Sequence, residues 1–205
     1  IYSGVFLTGD VMYDCLLFYR RQLQPQHSAL LGRFGLAAGG YFLATIHRAE
    51  NTDDASRLEQ IIAGLSRIAE TLAPVLLPLH PRTAARLEQM TLRLNPRLHL
   101  IEPVSYLTML ALETNARAIL TDSGGVQKEA YFLRVPCLTF RDRTEWPETV
   151  RSGWNTLAEA DAQQIIRAAG SLQRPSSDRD RQEYGDGKAA EKIVQILLDE
   201  FKARL

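Results

Sequence analysis

Residues 121–129 read Thr-Asp-Ser-Gly-Gly-Val-Gln-Lys-Glu, and their surroundings decide the fold class. They follow the apolar run Ala118-Ile119-Leu120 and open a segment with apolar residues at Val126, Ala130 and Leu133. That pattern predicts a buried strand, a tight Ser-Gly-Gly turn and a helix that begins at the turn. The pair Gly124-Gly125 lets an anion approach the backbone, where the first N–H groups of the helix point at it with the favourable end of the helix dipole. Ser123 adds a hydroxyl, and Glu129 stands further into the helix, within reach of a sugar hydroxyl. The stretch reads as a cradle for a diphosphate and a ribose.

Outward from the cradle, short apolar runs alternate with helical patterns. Tyr41–Ile46 reads as a strand, followed by a helix of about twenty residues carrying Leu58, Ile61, Ile62, Leu65, Ile68 and Leu72 on one stripe. Thr52, Asp53 and Asp54 offer N-cap chemistry at its start. Further strands are expected at Val75–Leu79, Leu98–Ile101, Arg117–Thr121, Pro136–Phe140 and Asn155–Ala158, with helices near Thr83–Met90 and Ser105–Thr114. At the front, Val5–Gly9 reads as a strand end and Val11–Arg21 as a helix. Gln173–Arg181 reads as a loop, and a last helix is expected over about residues 186–204, after Tyr184-Gly185-Asp186-Gly187. This alternation predicts an α/β fold, a doubly wound parallel sheet covered on both faces. No internal repeat or low-complexity segment is present.

At 205 residues the chain is long enough for one sizeable α/β core with a trailing helix. Its 24 basic and 24 acidic residues cancel, so no net field draws it to nucleic acid or to an anionic membrane. No stretch approaches the roughly 20 apolar residues that span a bilayer. Cys15 and Cys137 lie far apart in apolar surroundings, which argues against a disulfide framework and fits inert thiols in a reducing cytosol, so a cytoplasmic location is expected. The chain begins at Ile1, with neither an initiator methionine nor a signal-peptide pattern. It reads as a processed product or as a piece of a longer protein.

The polar residues fall where strands end. His47-Arg48-Ala49-Glu50-Asn51, His80-Pro81-Arg82, Glu102-Pro103-Val104-Ser105 and Asp122-Ser123-Gly124-Gly125 follow four successive strands. Arg141–Glu148 follows the next one. In a parallel sheet all five loops lie at one edge and can converge on one ligand. His47 reads as a proton carrier or as a cation facing a leaving phosphate, or else as a loop histidine that caps a helix or sheet edge. Arg48 either pairs with phosphate bidentately or ties its loop to Glu50. His80, before Pro81, reads chiefly as a loop-holding residue. His27 and His99 have no supporting chemistry. The string Asp-Ser-Gly-Gly also surrounds the nucleophile of chymotrypsin-like proteases, but here it opens a helix in an α/β pattern. Neither G-x-G-x-x-G after an early strand nor G-x-x-x-x-G-K-[ST] occurs, which speaks against NAD and P-loop ATP chemistry. No two histidines or cysteines have ligand spacing on one element, so no metal site is expected.

Thr45–Asn51, Thr121–Ala130, Arg141–Glu148 and Tyr184–Gly187 together resemble the non-hydrolysing UDP-N-acetylglucosamine 2-epimerases. The resemblance covers nearly the whole chain but only the C-terminal half of that family's fold. It implies a glycosyltransferase-B-type architecture in which a UDP-sugar lies between two Rossmann-like domains, with residues 1–205 forming the second, UDP-binding domain. The N-terminal domain would then be absent, and the chain a piece cut from a longer protein. The opening Phe6-Leu7-Thr8-Gly9-Asp10-Val11 resembles the crossover into that second domain, with Asp10 where the pattern usually has Asn.

The reaction implied by the resemblance interconverts UDP-GlcNAc and UDP-ManNAc without metal or cofactor. UDP is eliminated to leave a 2-acetamidoglucal, then added back after C2 is protonated from the other face. His47 matches a catalytic residue beside the diphosphate. Ser123, Gly124 and Gly125 match the diphosphate cradle, and Glu129 matches a residue bonded to the ribose hydroxyls. Pro103–Met109 would hold uracil, using backbone near Val104 for its edge and Met109 for its face. Many members carry Arg where this chain has Trp146. Thr-Glu-Trp-Pro-Glu, with Gly153-Trp154-Asn155 downstream, resembles a subgroup that includes epimerases of UDP-2,3-diacetamido-glucuronic acid. Trp146 therefore reads as a sugar-facing residue or as a helix-packing one. The family also implies a homodimer for the intact protein. A retaining glycosyltransferase of the same fold and a non-catalytic nucleotide-sugar-binding module stand as rival readings. The chain alone, one wall of a cleft, is expected to be inactive.

Overall fold

Six short strands lie side by side in the computed structural model, which describes residues 4–24, 29–90, 92–176 and 183–202. They are β1 (Phe42–Thr45), β2 (Val75–Pro78), β3 (Leu98–Ile101), β4 (Ala118–Thr121), β5 (Cys137–Thr139) and β6 (Asn155–Leu157). Their order is β3-β2-β1-β4-β5-β6, and every neighbouring pair is parallel. The chain thus winds outward in one direction from β1 to β3, then returns to the other side of β1 and winds the opposite way. Order reverses between β1 and β4, paired in register from Phe42 opposite Ala118 to Thr45 opposite Thr121. A doubly wound sheet parts its connecting loops at that reversal and leaves a crevice beyond the strands' carboxyl ends.

The chain divides into two compact units, Leu23–Ser176 and the paired ends Ile1–Gln22 with Ser177–Leu205. The first unit holds the sheet together with α2 (Ala29–Arg33), α3 (Ala49–Thr52), α4 (Ala55–Thr71), α5 (Pro81–Glu88), α6 (Tyr106–Asn115), α7 (Gly124–Leu133), α8 (Pro147–Arg151) and α9 (Ala162–Ser171). Strand alternation sorts the core. Phe42 and Ala44 of β1 pack with Ile61, Leu65 and Ile68 of α4 and with Ile165 and Ala169 of α9. Leu43, of opposite parity, is equally buried but lies outside that cluster. On its side, the Tyr41 hydroxyl donates to the Leu112 carbonyl of α6 at 2.5 Å. Asp54 starts α4 by accepting the N–H groups of Ser56 and Arg57, which a helix start leaves without partners. Gly64 lets α4 approach α9 closely, because a Cβ there would lie 3.0 Å from Ile165 Cγ2.

The second unit consists of α1 (Val11–Arg20), α10 (Ala189–Lys202) and the segments beside them. Asp10 caps α1 through the Met12 N–H. The Asp14 carboxylate accepts from Ala189 N at 3.1 Å and Ala190 N at 2.7 Å, and so caps α10 from the neighbouring helix. Gly185, at φ +86°, approaches so closely that a Cβ would sit 2.9 Å from Gly9 Cα. That contact explains the glycine of Tyr184–Gly187 as a close approach of two backbones.

Among the described residues, Val5–Gly9 forms no strand. The chain there has no partner edge, and the next amide, Asp10 N, goes instead to the Tyr184 carbonyl at 3.0 Å. α10 begins at Ala189, after the turn that Gly185 and Gly187 make with positive φ. The expected loop over Gln173–Arg181 is irregular through Ser176, and its remainder lies outside the described residues, as does His27. The helix α9 is absent from the sequence reading, although Asp161 caps it through Gln164 N and Ile165 and Ala169 recur at helical spacing.

Candidate functional site

The loops after β1 and β4 face each other across the reversal point, and one carboxylate locks them together. Asp122 is fully buried. It accepts the backbone N–H of His47 at 3.1 Å, that of Arg48 at 3.1 Å, and the Asn51 side-chain amide at 3.0 Å. Its Oδ1 also lies 3.1 Å from Nδ1 of His47. Burial alone would raise the Asp122 pKa. The hydrogen bonds from the His47 ring, Asn51 and the two backbone amides outweigh it and hold the carboxyl below its ordinary range. An anionic Asp122 makes Nδ1 the protonated nitrogen of His47, which leaves Nε2 for a ligand. The His47 side chain is 47% exposed, so it is anchored at one nitrogen and open at its outer edge.

At β4's end, Thr121 Oγ1 accepts Ser123 N at 2.9 Å and so sets the turn. Ser123 caps α7, its Oγ accepting Val126 N. The helix proper starts at Gly124, with Gly125 exposed beside it. His47, Val104, Met109 and Ser123 all line one cavity of about 240 Å³, together with Thr45 and His80. His80 also caps α5, its Nδ1 accepting Arg82 N at 3.3 Å, so the loop-holding role and a place at the cavity coincide in one residue. A larger cavity of about 820 Å³ adjoins it, sharing Leu79, Pro103 and Val104 as walls.

A second cluster gathers around Gly124. Arg48 does not tie its loop to Glu50. Its Nε donates to the Asp122 carbonyl at 3.2 Å, and its guanidinium lies 3.6 Å from Glu145. Glu50 pairs with the buried Arg141 at 2.8 Å, and Arg141 holds Glu145 at 2.9 Å. Burial works against the Glu145 charge, but its bonds to Arg141 outweigh that and keep its carboxyl below the usual range. Trp146 is half-buried, donating its indole N–H to the Gly124 carbonyl at 2.9 Å. Its ring receives Lys128 Nζ at 4.3 Å from the centroid. A Cβ on Gly124 would sit 3.4 Å from both Arg48 and the Trp146 indole nitrogen, so a side chain there would fill the space over the helix mouth.

Glu129 does not line that cavity. It is 8% exposed, on the α7 face toward α6, where its partners are Tyr106 and Glu113. Glu113 is absent from the sequence expectations for the site, and Asp122 and Arg141 stand there only as members of the converging loops, with no role of their own. A carboxylate directly after a buried strand, for Asp122, and a lone Glu directly after the apolar run Leu110–Leu112, for Glu113, were the available signals.

A parallel sheet reversing between β1 and β4, with a helix N-terminus and an anchored histidine at that reversal, defines a doubly wound Rossmann-like domain. Residues 2–198 match the family model described as UDP-N-acetylglucosamine 2-epimerase, and the chain belongs to that family. A UDP-N-acetylglucosamine 2-epimerase homolog of Methanococcus maripaludis is 44% identical over 201 residues, covering 96% of this chain and 55% of the relative. The UDP-2,3-diacetamido-2,3-dideoxy-D-glucuronate 2-epimerase of Pseudomonas aeruginosa is 44% identical over 191 residues, covering 92% of this chain and 51% of that protein. The crystal structure of Methanocaldococcus jannaschii UDP-GlcNAc 2-epimerase in complex with UDP-GlcNAc and UDP superposes with a TM-score of 0.81 at 37% identity, over 97% of this chain and 56% of that one. The chain spans about half the length of the relatives it matches.

Proposed function

We propose that this chain is the UDP-binding half of a UDP-sugar 2-epimerase. The observation that carries the reading is the convergence of the His47 ring, the Ser123 hydroxyl and the mouth of α7 at the sheet's reversal point. The diphosphate lies against the N–H groups at Gly124 and Gly125, with Arg48 and His47 beside it. Uracil occupies the cavity at Val104 and Met109, and Glu129 takes the ribose hydroxyls. Catalysis removes the C2 proton and breaks the C1–O bond, so that UDP leaves with the electron pair. UDP then re-adds at C1 as C2 gains a proton on its opposite face. Charge develops on the departing diphosphate, where the helix dipole and a protonated His47 stabilise it without rearrangement. The carboxylates that move the C2 proton belong to the remainder of the protein, so this chain alone is inactive.

The full-length protein is a cytoplasmic homodimer in this reading. Light scattering on the purified protein tests the dimer. UDP-GlcNAc is the first substrate to test. UDP-2,3-diacetamido-glucuronic acid is the second, favoured by Trp146 beside Gly124 and by the equal identity of the Pseudomonas aeruginosa relative. Incubating the full-length protein with each UDP-sugar in deuterium oxide should place deuterium at C2. A transferase or a mere binding module leaves C2 unlabelled, and that result rejects the epimerase.

A further inference from the structure

Glu113 lies in the last turn of α6 with none of its surface exposed, and neither of its carboxyl oxygens meets a hydrogen-bond donor. A carboxylate there would give up its hydration for nothing in return. A neutral carboxylic acid carries an O–H that can donate. The acceptor at hand is the Glu129 carboxyl of α7. Tyr106, in the first turn of α6, bonds the same carboxyl. Tyr106 and Glu113 are about two helical turns apart, so both face α7 and bracket Glu129.

Burial raises the pKa of both carboxyls. Repulsion from Glu129 raises Glu113 further. Glu129 already has Tyr106 as a partner whereas neither Glu113 oxygen has one, so Glu113 is the group that must donate. The other groups that feel Glu113 are Tyr41 and Cys137, both kept neutral by burial. Lys128, next to Glu129 in α7, places its Nζ 4.3 Å from the centroid of the Trp146 ring.

We propose that Glu113 is a positioning residue for nucleotide binding: from behind α7 it shares a proton with Glu129 and holds that carboxyl ready to accept a ribose hydroxyl. The proposal rests on the reading of Glu129 as the ribose ligand. The shared proton also leaves one negative charge where two would repel each other and the incoming diphosphate. Loss of that proton in alkali puts two buried charges face to face and drives Glu129 out of place.

Calorimetric titration of the full-length protein with UDP, from about pH 6 to about pH 9, tests this, using wild type, Glu113→Gln and Glu113→Leu. A glutamine still donates to Glu129 but carries no titrating proton. Wild-type affinity should fall about tenfold across the alkaline half, whereas Glu113→Gln keeps the neutral-pH affinity and stays flat. Glu113→Leu should bind weakly throughout. Melting curves supply a reading without ligand. Folding raises the Glu113 pKa, so wild type should lose stability relative to Glu113→Gln as pH climbs from the unfolded value, about 4.3, toward the folded one. A melting difference that does not change with pH overturns the shared proton. A wild-type pH profile for UDP in Glu113→Gln overturns the positioning role. A wild type that binds no UDP at any pH overturns the nucleotide reading and the positioning role with it. The melting difference separates that failure from the others, because it reports the proton alone.

Discussion

The His47 ring and the Asp122 carboxylate stand 3.1 Å apart, and the same carboxylate receives the backbone amides of His47 and Arg48. One buried charge therefore fixes both the path of the β1 loop and the orientation of its imidazole. It ties a loop after one strand to the start of the loop after another, across the point where the sheet changes winding direction.

Asp122→Asn should damage both functions of that charge. An amide NH₂ set against donors leaves buried N–H groups unsatisfied, and the expected loss is about 2–4 kcal/mol by urea unfolding at neutral pH. The folded state depresses the Asp122 pKa. The stability it contributes is thus complete above the unfolded value of about 3.9 and is lost as pH falls through the folded value. Wild type should show that acid-side loss and the variant should not. Turnover in the full-length protein should drop about 100-fold as His47 loses its anchored tautomer.

Gly124→Ala separates ligand space from folding space. The added methyl meets Arg48 and Trp146 at 3.4 Å, an ordinary contact that the fold can accept. It nevertheless occupies the approach to the first amides of α7. Melting temperature should stay within a few degrees of wild type while UDP affinity falls about tenfold or more, read by calorimetry.

Gly64→Ala reports on the core alone. Its methyl would press on Ile165 Cγ2 at 3.0 Å, between two helices that share the core. The expected cost is about 1–3 kcal/mol in urea unfolding, with UDP affinity in the folded protein unchanged.

The two thiols should differ sharply in reactivity. Burial pushes the Cys137 thiol up to about 12, whereas Cys15, expected from its apolar neighbours to be an inert buried thiol, is exposed. Titration with a thiol reagent at about pH 8 should modify Cys15 promptly and Cys137 only after unfolding. Mass spectrometry of the peptides distinguishes them.

Much of this was legible in the residue order. Strand interiors were visible because a parallel strand buried on both faces is continuously apolar, as in Ala118-Ile119-Leu120. The helix after Ser123 announced itself through its cap and glycines. Val5–Gly9 misled for the same reason: an apolar run reads as a strand whether or not a partner edge exists. α9 was overlooked because its neighbours on the apolar stripe are mostly alanine, a weak signal until α4 is seen packed against it. Proximity in the chain offers Glu50 as one of two partners for Arg48, but the nearer carboxylate in space is Glu145, held by Arg141.

By itself the sequence determined the six strands, the parallel sheet and the edge where its polar loops collect, because those follow from local periodicity and from the chain's alternation. Tertiary structure alone decided which loops meet. The strand order brings residues 47 and 122 together, and the packing of α6 on α7 sets Glu113 behind Glu129. Such pairings depend on contacts between residues distant along the chain, where burial turns ordinary carboxyls into one locked anion and one shared proton. No local pattern encodes that burial.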